Sequence, residues 1–95
     1  MKLLNGKVAL ITGAARGIGK AIAVKYASQG ADIVFTDLSL NDVALETKAE
    51  LESYGVKVMA VASNAANFED AHKVVEDVVK EMGKIDILVN NAGIT

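Results

Sequence analysis

Four short apolar runs alternate along the chain with three longer stretches of helical periodicity. The runs are Val8 to Ile11, Ile33 to Phe35, Val56 to Val61 and Ile85 to Val89. They are rich in Val and Ile and mostly apolar on both faces, as strands of a parallel sheet covered on both sides are. Between the first two, Gly17 to Gln29 places Ile18, Ile22 and Tyr26 at i, i+4 and i+8. Asn67 to Met82 carries Ala71, Val74, Val75, Val78, Val79 and Met82, a broad apolar face at helical spacing. Asn41 to Tyr54 is more polar and predicts a helix with a narrower buried stripe. Gly30, Gly55 and Gly83 each fall just past one of these helices, where a left-handed cap favours a residue without Cβ. Asn67, three residues before Asp70, predicts an N-cap with an acidic first turn, and Ser39 and Asp42 are the candidates for the second helix.

The order strand, helix, strand, helix, strand, helix, strand implies right-handed crossovers and an open, twisted parallel sheet. The predicted strand order is 3-2-1-4, with the first strand central and a topological switch point beside the first and fourth. This is a Rossmann-like, doubly wound α/β sheet, truncated after its fourth strand. Proline and linker-like stretches are both missing from the sequence, so it reads as one continuous domain. Ligands of such sheets bind at the carboxyl ends of the strands.

Composition narrows the classes. With 95 residues, 52% apolar and 23% charged, the chain suits one small globular domain and excludes disordered, collagenous and coiled-coil compositions. Ten basic residues against twelve acidic ones give a net charge of −2. That balance argues against nucleic acid and against an anionic membrane surface as partners. Cysteine is absent from the sequence, which rules out disulfides and thiolate metal sites within it. Met1 to Gly6 followed by Lys7 does not read as a signal peptide, and no 18-residue apolar stretch occurs. The expectation is a soluble, cytoplasmic protein.

The chemistry begins after the first strand, at Thr12-Gly13-Ala14-Ala15-Arg16-Gly17-Ile18-Gly19. Small residues there let backbone approach a pyrophosphate, and the helix that follows offers unpaired N–H groups and the positive end of its dipole. Gly13 is assigned the tight turn out of the strand, Gly17 the close approach of the ligand, and Gly19 close helix–sheet packing. An ordinary glycine-rich turn is the bland alternative, but this one lies between a strand and a helix in the first βαβ unit. An ATP-binding Walker loop would need glycine at Ala14 and Ser or Thr at Ala21 and is excluded.

The spacing Gly-x-x-x-Gly-x-Gly resembles the cofactor motif of the short-chain dehydrogenases/reductases. Asn90-Asn91-Ala92-Gly93, at the end of the fourth strand, resembles that family's second signature. The likeness runs through all 95 residues. Gly6 to Ile11, Asp86 to Val89 and Ile94-Thr95 are most similar to the bacterial 3-oxoacyl-acyl-carrier-protein reductases. The resemblance implies a nicotinamide dinucleotide held by Gly13, Ala14, Ala15, Arg16, Gly17, Ile18 and Gly19. Further along, it implies adenine contacts from Asn64 beside the small Ala65, and cofactor ribose contacts and bracing of the central strands from Asn91, next to Ala92 and Gly93. A structural role alone is the alternative for Asn91. For the parent protein it implies reduction of a 3-oxoacyl thioester on acyl carrier protein in fatty acid biosynthesis, and a homotetramer.

Cofactor choice turns on Asp37, twenty-four residues after Gly13. A carboxylate there accepts both hydrogen bonds of an adenosine ribose diol and repels a 2′-phosphate. A helix-capping role is the alternative. The residues that follow, Leu38, Ser39 and Leu40, bring no cation, so the charge favours NAD(H). The resembled reductases more often use NADP(H), and Arg16 is either a 2′-phosphate ligand of that kind or a solvated surface charge.

Hydride transfer to a ketone also needs a group that handles the proton on oxygen. In the resembled family this is a Tyr-x-x-x-Lys pair with a Ser and an Asn. Tyr26 is followed four residues later by Gly30, and Tyr54 by Val58, so neither matches. Residues 1–95 are therefore expected to be the dinucleotide-binding part of a single domain, with no catalytic residue and no metal site. On its own the chain is expected to be inactive, and prone to self-association along the unpartnered Ile85 to Val89 strand. Another short-chain alcohol or ketone dehydrogenase, a non-enzymatic dinucleotide-binding module and an inert fragment are the alternatives. His72, Met59, Met82 and the Glu46, Lys48, Glu50, Glu52 group read as surface or packing residues.

Overall fold

The computed structural model describes residues 2–64 and 67–91, and in it the alternating pattern becomes seven elements. They are β1 (Val8–Thr12), α1 (Gly17–Ser28), β2 (Asp32–Asp37), α2 (Asp42–Glu52), β3 (Val58–Ala62), α3 (Phe68–Met82) and β4 (Ile87–Val89). The strands form one parallel sheet in the order β3-β2-β1-β4, as the pattern predicts. Leu10 of β1 stands level with Val34 of β2 and Leu88 of β4.

Alternate residues of each strand face opposite ways, and the two faces are covered by different helices. Ala9, Ile11, Ile33 and Phe35 pack with Ala23 and Ala27 of α1 and with Ala44 and Leu51 of α2. Val8, Leu10 and Val34 pack with Val74 and Val78 of α3 on the other face. Each large side chain fully withdrawn from water here, Phe35, Leu10, Ile11, Ile33 and Leu51 among them, contributes about 1.5–3 kcal/mol of transfer free energy.

Three details differ from the pattern. The buried face of α1 is Gly19, Ala23 and Ala27 rather than the Ile18, Ile22, Tyr26 row, and Ile18 is 72% exposed. The helix lies too close to the sheet for large residues beneath it, so they flank the contact, with Ile22 and Tyr26 partly buried. On α3 only Val74 and Val78 are buried, while Val75 and Val79 are exposed. The cap of α2 is Asn41, whose Oδ1 accepts the Ala44 N–H at 3.0 Å, and not Ser39, while Asp42 is the acidic residue of its first turn as expected. Asn67 caps α3 as expected through the Asp70 N–H, and Gly83 closes that helix with φ 85°.

β3 and β4 also begin two residues later than their apolar runs. Their entries are shaped by two aspartates at the amino edge of the sheet. Asp32 accepts the Lys57 N–H at 2.9 Å, at the approach to β3. Asp86 accepts the Val8 N–H at 2.9 Å, and its own N–H donates to the Val8 carbonyl at 2.9 Å. Lys84 pairs with the same carboxylate at 3.1 Å. β4 is an edge strand, and Leu88 is 62% exposed on it.

The Val8 N–H, and after it Lys84, holds the Asp86 carboxyl below the usual aspartate range. A carboxyl depressed in the folded state stabilises the fold above its unfolded value, and that stability is lost as pH falls through the folded value. Asp86→Asn is therefore expected to melt below the wild type at pH 7, with the gap closing below about pH 4. Thermal unfolding followed by circular dichroism at pH 7 and pH 3 checks this, and an equal deficit at both would contradict it.

Candidate functional site

Four strand ends meet at the carboxyl edge of the sheet, and each delivers residues that the sequence singles out. β1 delivers Thr12 and the glycine-rich turn, and β2 delivers Asp37. Ser63 and Asn64 follow β3, and Asn90 and Asn91 follow β4. Ala65, Ala92 and Gly93 lie outside the described residues.

A turn that belongs to neither strand nor helix must find partners for its backbone elsewhere. Here the N–H groups of Gly13 and Ala14 both donate to the Thr36 carbonyl of β2, at 2.7 and 3.2 Å. The Gly13 carbonyl accepts from Asn91 Nδ2 at 3.1 Å, and the Ala15 carbonyl accepts from Thr47 Oγ1 of α2 at 2.5 Å. Thr12 Oγ1 donates to Asn90 Oδ1 at 3.2 Å. The two signature motifs are thus joined directly, through Thr12 to Asn90 and through Gly13 to Asn91.

The glycines divide the work. Gly13 and Gly17 have φ of 68° and 66°, a conformation that β-carbons disfavour. A Cβ on Gly17 would meet nothing within 4 Å, so open space lies over the turn at that point. A Cβ on Gly19 would lie 2.5 Å from the Gly13 oxygen and 2.6 Å from Asn91 Nδ2. Gly19 leaves the space that the Asn91 clamp occupies.

The start of α1 is unlike those of α2 and α3. Its N-cap, Arg16, makes no side-chain capping hydrogen bond, whereas Asn41 and Asn67 cap the other two. First-turn N–H groups have no intrahelical acceptor, and their dipole end favours an anion. Ala14 and Ala15 are buried beneath the turn, while Arg16, Gly17 and Ile18 are exposed on it.

Asp37 is half-buried at the end of β2, and its Oδ1 accepts the Leu38 N–H at 2.8 Å. Leu38 is 74% exposed beside it. The Ser63 N–H donates to the Asp37 carbonyl at 2.8 Å, which brings the β3 exit alongside. Asn64 follows, its N–H donating to Asp70 Oδ2 at 3.2 Å. On the α3 face of the sheet, Leu10, Thr12, Thr36, Val74, Leu88 and Asn90 line a cleft of about 150 Å³. That is smaller than pockets that enclose drug-sized ligands.

Two residues of this site carry no signal in the sequence. Thr36 and Thr47 are buried polar residues that hold the turn from β2 and α2. A threonine inside an apolar period looks like packing, and the partners of the Thr36 carbonyl and the Thr47 hydroxyl become visible only in three dimensions. Elsewhere His72 is exposed, 2.8 Å from Glu76 and stacked against Phe68. Glu50 reaches across to Lys20 of α1 at 3.1 Å. Among the described residues, no three His, Asp or Glu side chains gather as a metal site, and no helix is long and apolar enough to cross a membrane.

An open parallel α/β sheet with a glycine-rich turn at its switch point defines a class of nucleotide-binding folds. The family model for short chain dehydrogenases matches residues 7–95, and the chain belongs to that family. It is 49% identical over 90 residues to general stress protein 39 of Bacillus subtilis, covering 95% of this chain and 32% of that protein. It is 46% identical over 92 residues to a 3-oxoacyl-[acyl-carrier-protein] reductase of Thermotoga maritima, covering 97% and 37%. With L-rhamnose 1-dehydrogenase (NAD(P)(+)) of a Sphingomonas species it shares 40% over 94 residues, covering 99% and 37%. Among solved structures, carveol dehydrogenase of Mycobacterium avium in complex with NAD superposes with a TM-score of 0.89 at 30% identity, over 96% of this chain and 37% of that one. A short chain dehydrogenase of Burkholderia cenocepacia in complex with NADP gives 0.87 at 38%, over 92% and 36%. The chain spans about a third of the length of the relatives it matches.

Replacing Gly19 by Ala would gain about 1 kcal/mol in an unhindered helix. Here the added methyl meets the Gly13 carbonyl and the Asn91 amide, and the expected result is a loss of about 1–3 kcal/mol. Chemical denaturation of Gly19→Ala measures the sign, and a stabilised variant would contradict the clamp.

Proposed function

We propose that this chain is the nicotinamide-dinucleotide-binding part of a short-chain oxidoreductase. The observation that carries the reading is the glycine-rich turn. It is anchored by Thr36, Thr47 and Asn91 from behind, it is open over Gly17, and it leads into a helix with no side-chain cap. These features fit a pyrophosphate, and the Asp37 carboxylate at the end of β2 fits a ribose diol. When bound, the dinucleotide supplies the hydride chemistry. The chain's own residues hold its phosphates on backbone N–H groups and orient its adenosine half between Asp37, Leu38 and Asn64.

The cofactor form is assigned to NAD(H). A carboxylate at position 37 repels a 2′-phosphate, and the next three residues bring no cation to offset it. Arg16, exposed at the turn, is a cation that favours NADP(H). Titration of the chain with NADH and NADPH tests the assignment. Wild type is expected to prefer NADH, and Asp37→Ala to lose about tenfold or more of NADH affinity, the scale of a hydrogen bond to a charged group. Tighter NADPH than NADH binding by the wild type, abolished in Arg16→Ala, would reverse it.

For the parent protein we propose reduction of a 3-oxoacyl thioester on acyl carrier protein to the 3-hydroxyacyl form. The 46% identity to the Thermotoga reductase supports this reading. The 49% identity to a general stress protein and the 40% identity to a sugar dehydrogenase support a second one, a dehydrogenase of another small alcohol or ketone. The 95-residue chain has no Tyr-x-x-x-Lys, and we expect it to bind dinucleotide without turning over substrate. Mixing it with NADH and a 3-oxoacyl thioester should leave the nicotinamide absorbance unchanged. Any sustained oxidation of NADH would place a proton donor within these residues.

A further inference from the structure

The geometry points to Thr47, in the middle of α2, as a positioning residue for the phosphate-binding turn. The inference rests on the dinucleotide reading above and extends it to a residue outside both signature motifs. Thr47 is 1% exposed, between Ala44 and Leu51 on the buried stripe of its helix. Threonine is a mediocre helix former, and a buried hydroxyl costs stability unless it is hydrogen-bonded. A valine of the same shape would suit the apolar surroundings better if packing were the only demand. The hydroxyl has one specific task in the structure, donating to the Ala15 carbonyl at 2.5 Å across 32 residues of sequence.

That carbonyl belongs to the last peptide before the N-cap of α1. In a trans peptide the C=O and the following N–H point in opposite directions. Holding the Ala15 carbonyl against α2 therefore turns the Arg16 N–H away from α2. Without the hydroxyl, the Ala15 carbonyl would be buried with no partner on α2, a state that favours rotation of this peptide. The Thr36 and Asn91 bonds fix the front of the turn, at Gly13 and Ala14. Thr47 alone reaches its rear from α2. The same helix is capped by Asn41, four residues beyond Asp37. α2 thus ties the phosphate turn to the strand end that carries the ribose carboxylate, and Glu50 to Lys20 at 3.1 Å braces α2 against α1 one turn further on.

The test compares wild type, Thr47→Val, Thr47→Ala and Thr47→Ser by NMR titration with NADH, ADP and adenosine, with amide exchange of the turn read in parallel. Thr47→Val, or Thr47→Ala should the valine variant fail to fold, is expected to weaken NADH and ADP about tenfold. Adenosine, which lacks the phosphates, should stay within twofold of wild type. Exchange at Arg16 and Gly17 should quicken, and Thr47→Ser should restore both readouts. Unchanged NADH and ADP affinity in a folded Thr47→Val chain would overturn the assignment, as would an equal loss for adenosine. A wild type that binds neither NADH, NADPH nor ADP would instead defeat the dinucleotide reading. In that case exchange in the turn still reports on Thr47, and unchanged exchange in Thr47→Val would defeat the positioning role as well.

Discussion

The structure depends on how closely α1 can approach the end of β1. Gly19 sits where any Cβ would be within 2.6 Å of both the Gly13 carbonyl and the Asn91 amide. That vacancy lets one side chain from the end of β4 reach through and hold the first residue of the turn. Helix position, turn shape and the pairing of the β4 exit with β1 are thereby settled together. The small residues that follow at the same helical period, Ala23 and Ala27, keep the helix at that distance along its length.

Much of this was legible in the sequence because it rests on local chemistry. The strand order follows from the alternation of short β runs and amphipathic helices, and the glycine spacing marks the turn. The position of Asp37 follows from the rule that parallel sheets expose ligand groups at their carboxyl ends, whereas Asn64 is singled out only by the likeness to the short-chain dehydrogenases. The same likeness singles out Asn91, and the contact it makes in the structure is the bracing one, to the Gly13 carbonyl.

What sequence reasoning missed has a common physical origin. On α1 the large apolar residues mark one face in the sequence, whereas the close contact with the sheet selects the small ones, Gly19, Ala23 and Ala27. Asn41, not Ser39, caps α2: the two have similar capping propensity, and only the chain's path decides between them. Strand starts moved because Asp32 and Asp86 draw neighbouring N–H groups onto side chains, a competition that hydrophobicity does not register. Thr36 and Thr47 carry no signal because their partners, the Gly13 and Ala14 N–H groups and the Ala15 carbonyl, lie far away along the chain.

The two ends of the sheet are chemically specialised. The amino edge is organised by carboxylates that accept strand-entry N–H groups, Asp32 for Lys57 and Asp86 for Val8. The carboxyl edge is organised by amides and hydroxyls, Asn90, Asn91, Thr12 and Thr47. A strand length separates them, so the Asp86 carboxyl, held below its usual range, lies at the opposite end of the sheet from the residues proposed to hold a ligand. An engineer seeking tolerance to acid could rework the first edge and leave the second untouched.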